Sequence, residues 1–154
     1  MGNLLFKQQL LQCTKENTEY YKFNDKKFYC KVVDVYDGDT ITIAIKLNKK
    51  IYKHKVRMFG YDSPEMKPRL NNVNRDAIII RAKKAKNVLS ELILNKIVVI
   101  HIQSDTWDKY GRLLGVVYAK IVPGFGQKSF NFNVNKYMVK NNNGYKYFGG
   151  TKKS

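Results

Sequence analysis

One stretch limits this chain more than any other. "TITIAIKL", residues 40–47, alternates without a break: Ile41, Ile43, Ile45 and Leu47 fall on one face, Thr40, Thr42 and Lys46 on the other. Side chains point alternately to the two sides of a strand, so this run buries one side of a sheet and wets the other. It has neighbours of the same kind. "FYCKVVDVY" (28–36) is rich in β-branched and aromatic residues and reads as a strand before it. "NKK" at 48–50 is a turn signal, and "IYKHKVRMFG" (51–60) returns as a third strand. "KIVVIHI" (96–102) and "RLLGVVYAKI" (112–121) supply a fourth and a fifth. Between the third and fourth the period changes. Ile78, Ala82, Ala85, Leu89, Leu92 and Ile93 recur at spacings of three and four, which is one apolar stripe on a helix over 75–94. "NVNKYMVKN" (133–141) reads as a short last helix.

Three strands, a helix and two strands predict an α+β fold that is mainly β. The pattern fits a closed or half-closed antiparallel barrel with the strand count of the five-stranded oligonucleotide/oligosaccharide-binding (OB) fold, a long helix between strands three and four, and a short C-terminal helix. With 154 residues, one domain with a true core is expected, over 28–147. Residues 1–27 read as an N-terminal appendage, with a short helix in "LLFKQQLLQC" and a polar, loop-like stretch after it. The end, from "NNNGYKYFGG", reads as loop, with a basic tail at 148–154.

The charge is the unusual quantity. Lys and Arg number 29 against 12 Asp and Glu, a formal net charge of +17. Such a balance favours a polyanionic partner, nucleic acid before an anionic membrane. Two cysteines, Cys13 and Cys30, form no CxxC and stand at no zinc-ligand spacing from a histidine, so they read as reduced thiols. The two histidines, His54 and His101, both lie in strand-like runs and read as packing or surface residues. No apolar run reaches the length of a membrane span, and no secretory signal opens the chain, so an intracellular protein is expected. Gly2 after Met1 stands where N-myristoylation occurs, although Phe6 occupies the place where that motif has Ser or Thr. Acylation there, with Cys13 as a second anchor, would attach the chain to a membrane.

In a chain so short of carboxylates, their positions carry information. "VYDGDT" places Asp37 and Asp39 around Gly38, a strong hairpin-turn signal in its own right. Asp39 opens the second strand; Asp62, in "YDSPE", closes the third. Paired strands lie about 4.8 Å apart, so the two carboxylates can meet across the hairpin. Like charges repel, and a hard divalent cation is the simplest reason to place them together. Arg57 precedes Asp62 on the same strand, and Arg112 follows "DKYG" in a later turn. Guanidinium groups grip phosphate in a fork and stabilise charge growing on it. Glu65, beyond Pro64, is held by a stiff loop where it can act as a base on water.

"DGDT", then "RMFGYDSPE", then "DKYGR", in that order, resembles the thermonuclease, or staphylococcal-nuclease-like, family. The resemblance covers roughly 28–147. It implies the five-stranded barrel and Ca²⁺-dependent hydrolysis of DNA and RNA phosphodiesters, by cleavage of the 5′ P–O bond to leave 3′-phosphate ends. By position, Asp39 and Asp62 resemble the family's calcium-binding carboxylates, with the Ser63 carbonyl beside them in place of the usual threonine's. Arg57 and Arg112 resemble its phosphate-clamping arginines, and Glu65 its proposed general base. Lys109 and Tyr110 match residues that flank the bound nucleotide. Tyr145 and Tyr147 stand where a nucleotide-stacking tyrosine is expected, and Asn135 matches the asparagine that opens the family's later helix. A monomer that prefers single-stranded or unpaired nucleic acid is implied. The long terminal helix of the best-known member is not expected here, and loop 66–74 is expected to differ.

Three other readings remain open on these residues. The barrel could be a non-catalytic OB-fold module that binds nucleic acid by basic surface alone. "EMK" (65–67) matches half of a restriction-enzyme metal motif, although it follows a proline in a loop. A lipid-bound scaffold would use Gly2 and the basic surface, and is compatible with nuclease activity.

Overall fold

The computed structural model describes residues 2–20, 22, 24–104, 107–120 and 130–149. The first three strands are a meander: β1 (Lys27–Val35), β2 (Thr40–Leu47) and β3 (Lys50–Met58). β2 lies antiparallel to both neighbours, with Ile43 opposite Val32 on one side and His54 on the other. The alternation of β2 becomes burial as expected, with Ile41, Ile43 and Ile45 in the core. A register shift between Val32 and Asp34 bends β1, the effect of one extra residue in a ladder.

Closure takes two further strands. β5 (Ile97–Ile102) runs antiparallel to β1, placing Val98 opposite Cys30, and β6 (Leu113–Ala119) runs antiparallel to β5. The last seam, β6 on β3, is parallel: Val56 faces Leu113 and Arg57 faces Leu114. The barrel is therefore closed and mixed, where the strand pattern alone suggested antiparallel pairing throughout. A parallel return needs a long crossover, and α2 (Arg75–Ile93) lies within it. Its buried residues are Ala82, Ala85, Leu89 and Ile93, the predicted stripe, and Leu92 packs beside them. Gly115 of β6 makes the seam possible: a Cβ there would stand 2.7 Å from Ile100 Cγ2 and 3.3 Å from Val56 Cγ1.

Three short elements lie in segments that pattern could not assign. β7 (Phe132–Asn133) adds to the edge of β6. β4 (Tyr61–Asp62) pairs with β8 (Tyr145–Lys146), so part of the presumed terminal loop is bonded to the site segment. Phe148 continues this docking by meeting Phe59 edge to face at 5.7 Å. Residues 150–154 of the proposed basic tail lie outside the described residues.

α3 (Val134–Lys140) is capped by Asn133, whose side chain accepts from the Lys136 N–H. Its buried Asn135 accepts from Val117 N–H at 2.9 Å and donates to the carbonyls of Phe59 (2.9 Å) and Gly115 (3.1 Å). One side chain thus ties α3 to the barrel wall and to the segment that enters the site. At the other end of the chain, α1 (Gly2–Leu11) is a helix with Leu4, Leu5, Phe6, Leu10 and Leu11 exposed. No helix among the described residues is long and apolar enough to cross a membrane.

Candidate active site

Four segments meet at one end of the barrel. They are the turn before β2, the end of β3 with β4, the turn before β6, and the strand β8 with the residues that follow. Together they line a cleft of about 490 Å³.

The first turn is held by contact. A Cβ on Gly38 would lie 2.7 Å from Ser63 Cβ and 2.8 Å from Ala85 Cβ, so a larger residue would push this turn off both β4's exit and α2. Tyr61 donates its hydroxyl to the Gly38 carbonyl at 2.7 Å, and the Asp37 carboxylate accepts from the Asp39 N–H at 3.0 Å. Asp39, nearly dry, is aimed inward from there. It accepts from Ser63 N–H at 2.7 Å and from the Thr40 hydroxyl at 3.1 Å.

Arg57 is the hub. Its guanidinium pairs with Asp39 through one terminal nitrogen and with Asp62 through the other, and also donates to the Tyr61 carbonyl. The register explains the meeting. Thr40 lies opposite Arg57 across the β2–β3 ladder, so Asp39 stands diagonally across from the arginine. Asp62 is brought back by the turn at Gly60, whose φ of 88° suits glycine. Asp62 also accepts from the Tyr145 hydroxyl at 3.2 Å, which is what the β4–β8 pairing achieves. The two carboxylates therefore do meet, around a cation that belongs to the chain.

Arg112 enters from the opposite side. Its Nε donates to Asp108 at 2.7 Å, and a terminal nitrogen donates to Thr40 Oγ1 at 3.1 Å. Asp108 also accepts from the N–H groups of Tyr110 and Arg112, each at 2.9 Å. Gly111, with φ of 73°, completes this tight turn. Lys109 Nζ lies 5.0 Å and the Arg112 guanidinium 5.2 Å from the exposed Tyr110 ring centroid.

These contacts divide the acids. Burial raises the Asp37 carboxyl above its usual range, and the Asp39 charge adds to it. Burial also opposes ionisation of Asp39, but the Arg57 guanidinium and the Ser63 N–H outweigh it and hold that carboxyl low. Burial is likewise outweighed at Asp108 by the hydrogen bonds from Arg112 and Tyr110.

Arg57, Asp39, Asp62, Ser63, Glu65, Lys109, Tyr110, Arg112 and Tyr147 all line the cleft, and Tyr145 reaches it through Asp62. Asp108, Tyr61 and Thr40 were missed as site residues. Only Asp108 had a legible signal, its four-residue spacing from Arg112; Tyr61 and Thr40 act through contacts that no local pattern encodes. Among the described residues, no three His, Cys, Asp or Glu side chains gather to hold a metal.

A closed five-stranded barrel with two arginines and two buried carboxylates at one end defines a class: small barrel proteins with a charged cleft at one end. The pattern of the staphylococcal nuclease homologue family matches residues 55–149, and this chain belongs to that family. It is similar to an "uncharacterized endonuclease" of Haemophilus influenzae, 34% identical over 122 residues, covering 79% of this chain and 54% of that protein. It is similar also to a "micrococcal nuclease" of Shigella flexneri, 30% identical over 124 residues, covering 79% of this chain and 61% of the other. A Methanocaldococcus jannaschii protein is 31% identical over 114 residues, covering 64% of this chain and 53% of its own. The chain spans little more than half the length of these relatives.

Proposed function

We propose that the chain is a calcium-dependent nuclease that hydrolyses phosphodiester bonds of DNA and RNA in this cleft. One observation carries the reading: Arg57 and Arg112 converge on a cleft floored by the two buried carboxylates, Asp39 and Asp62, in a chain of charge +17. A surface that merely attracts phosphate would not bury carboxylates beside its arginines, because they repel the ligand.

The residues fit a calcium ion. Asp39 and Asp62 turn their oxygens toward one positive point, now served by Arg57, and hard cations prefer such all-oxygen donors. The Ser63 carbonyl and water would complete the set. Bound calcium would neutralise charge on the phosphate and lower the pKa of a nearby water.

The chain's own part follows from placement. Arg57 and Arg112 grip the phosphate from two sides, with Asp108 fixing the fork of Arg112. Glu65, exposed on the cleft wall, takes a proton from water as its oxygen attacks phosphorus. The bond from phosphorus to the 5′ oxygen breaks, the leaving alkoxide takes a proton from solvent, and the product strand ends in a 3′-phosphate. Tyr110 and Tyr147 offer aromatic faces that unpaired bases can use and a duplex does not. We therefore propose single-stranded or unpaired substrates, acted on by a monomer. An intracellular location, with membrane attachment if Gly2 is acylated, is part of the same proposal; intact-mass measurement of an unmodified N-terminus would remove the attachment.

The test is cleavage of single-stranded DNA and RNA with Ca²⁺, Mg²⁺ or EDTA, followed by end-group analysis. Calcium-dependent cleavage leaving 3′-phosphates is expected. Binding that survives EDTA, with no hydrolysis under any condition, would favour the non-catalytic module. Mg²⁺ preference with 5′-phosphate products would favour a restriction-type metal nuclease.

A further inference from the structure

Just outside the cleft, His54 of β3 stacks on Trp107, ring centroids 5.3 Å apart and planes 28° from parallel. Trp107 keeps 39% of its surface exposed. The pair adjoins one arm of the phosphate grip through the chain itself. Trp107 directly precedes Asp108, which holds Arg112; His54 lies three residues before Arg57 on one strand.

The surroundings are cationic. Side chains alternate across a strand, so exposed Lys53 and Lys55 lie on Arg57's face of β3, and His54, paired with core residue Ile43, lies on the other. Lys109, also exposed, follows on the other side of Trp107. A large indole serving only the core would be buried. This one is backed on an imidazole, part-open to water and two residues before Lys109, which lines the cleft. Aromatic faces for bases, with cations for the backbone, are the chemistry of single-strand recognition.

We propose that His54 and Trp107 form a stacking platform for an unpaired nucleobase, one that belongs to a strand whose phosphate is gripped by Arg57 and Arg112. Lys109 meets a backbone phosphate of the same strand. This inference rests on the nucleic-acid reading of the cleft. It adds a binding site outside the catalytic residues, one that only strands longer than the cleft can reach.

Trp107 is the sole tryptophan of the chain, so its emission reports this one place. The experiment titrates the full chain in EDTA with a thymidine dinucleotide and with an oligothymidylate octamer. Tryptophan emission is followed alongside anisotropy of an end-labelled octamer. The octamer should quench the indole, and the dinucleotide should not. Trp107→Ala should weaken octamer binding about 5- to 150-fold, the range for loss of one base stack, and Trp107→Phe should restore most of it. Octamer binding seen by anisotropy with unchanged tryptophan emission would overturn the platform, whatever the variants do. Absence of octamer binding by anisotropy would instead remove the nucleic-acid reading of the cleft, and the platform with it.

Discussion

The exchange of hydrogen bonds around two arginines decides what the site can do. On the proposed mechanism Arg57 and Glu65 have separable duties, and pH distinguishes them. Losing one charge-stabilising donor typically costs about a hundred- to thousand-fold in rate, and losing general-base help about 10²–10⁴-fold, so magnitude alone is no guide. Hydroxide replaces a base as pH rises but does not replace a two-pronged donor. Glu65→Gln should therefore recover more of its deficit at high pH than Arg57→Lys, which keeps charge without the fork. Single-turnover rates across pH at saturating calcium would show this; parallel deficits would reassign Glu65 to holding its loop. Asp108 gives a second expectation. Its carboxyl is held below the usual range in the folded chain, its bonds to Arg112 and Tyr110 outweighing burial. A lowered folded value means that the stabilisation is complete above the unfolded value, near 4. It is lost as pH falls through the folded value. The backbone N–H signals of Tyr110 and Arg112 should shift in that acid window, and Asp108→Asn should abolish the shift. A transition at the same pH in the variant would show that another group is responsible.

Among the elements, β6 does most to assemble the cleft. It forms the parallel seam with β3 that sets Arg57 beside Leu114, and its start carries Arg112 out of the Asp108 turn. Gly115 and Asn135 secure it from two sides. Gly115→Ala would press a methyl into Ile100 and Val56 and should destabilise the fold by about 1–3 kcal/mol, the range for overpacking. Asn135→Ala would leave Val117 N–H and two carbonyls without their side-chain partner. At about 1–3 kcal/mol for an unsatisfied buried group, it should cost at least as much. Urea midpoints with an unchanged m-value would measure both. An Asn135→Ala midpoint equal to the parent's would mean that water replaces the amide.

Over the whole molecule the charge of +17 should set affinity for the proposed nucleic-acid substrate and its salt dependence together. Each phosphate neutralised contributes about 0.7 to the logarithmic salt slope on single strands. Contacts by Arg57, Arg112 and Lys109 alone correspond to a slope near −2 on that basis. A steeper slope is expected, because exposed Lys53 and Lys55 extend the positive surface along β3. Lys109→Ala should reduce the slope by about 0.7 and weaken binding equally across sequences. Binding indifferent to salt would show that this charge is not directed at nucleic acid.

The sequence by itself determined the five barrel strands, the long helix and the three motifs that hold the site. Alternation in "TITIAIKL" and the stripe from Ile78 to Ile93 are local consequences of side-chain geometry, so they survive reading one residue at a time. The spacing of Asp39, Arg57 and Asp62 was legible for the same reason, since one hairpin register joins them. Tertiary structure decided the rest. The parallel β3–β6 seam, the β4–β8 pairing that brings Tyr145 to Asp62, and the stacking of His54 on Trp107 link residues tens of positions apart. Each depends on where the closed barrel and its crossover helix bring the backbone, and no local period records that. Arg57 shows the division most plainly. Its place on the strand and its reach to Asp39 were readable, but its hold on Asp62 as well exists only because the turn at Gly60 returns that carboxylate to face Asp39.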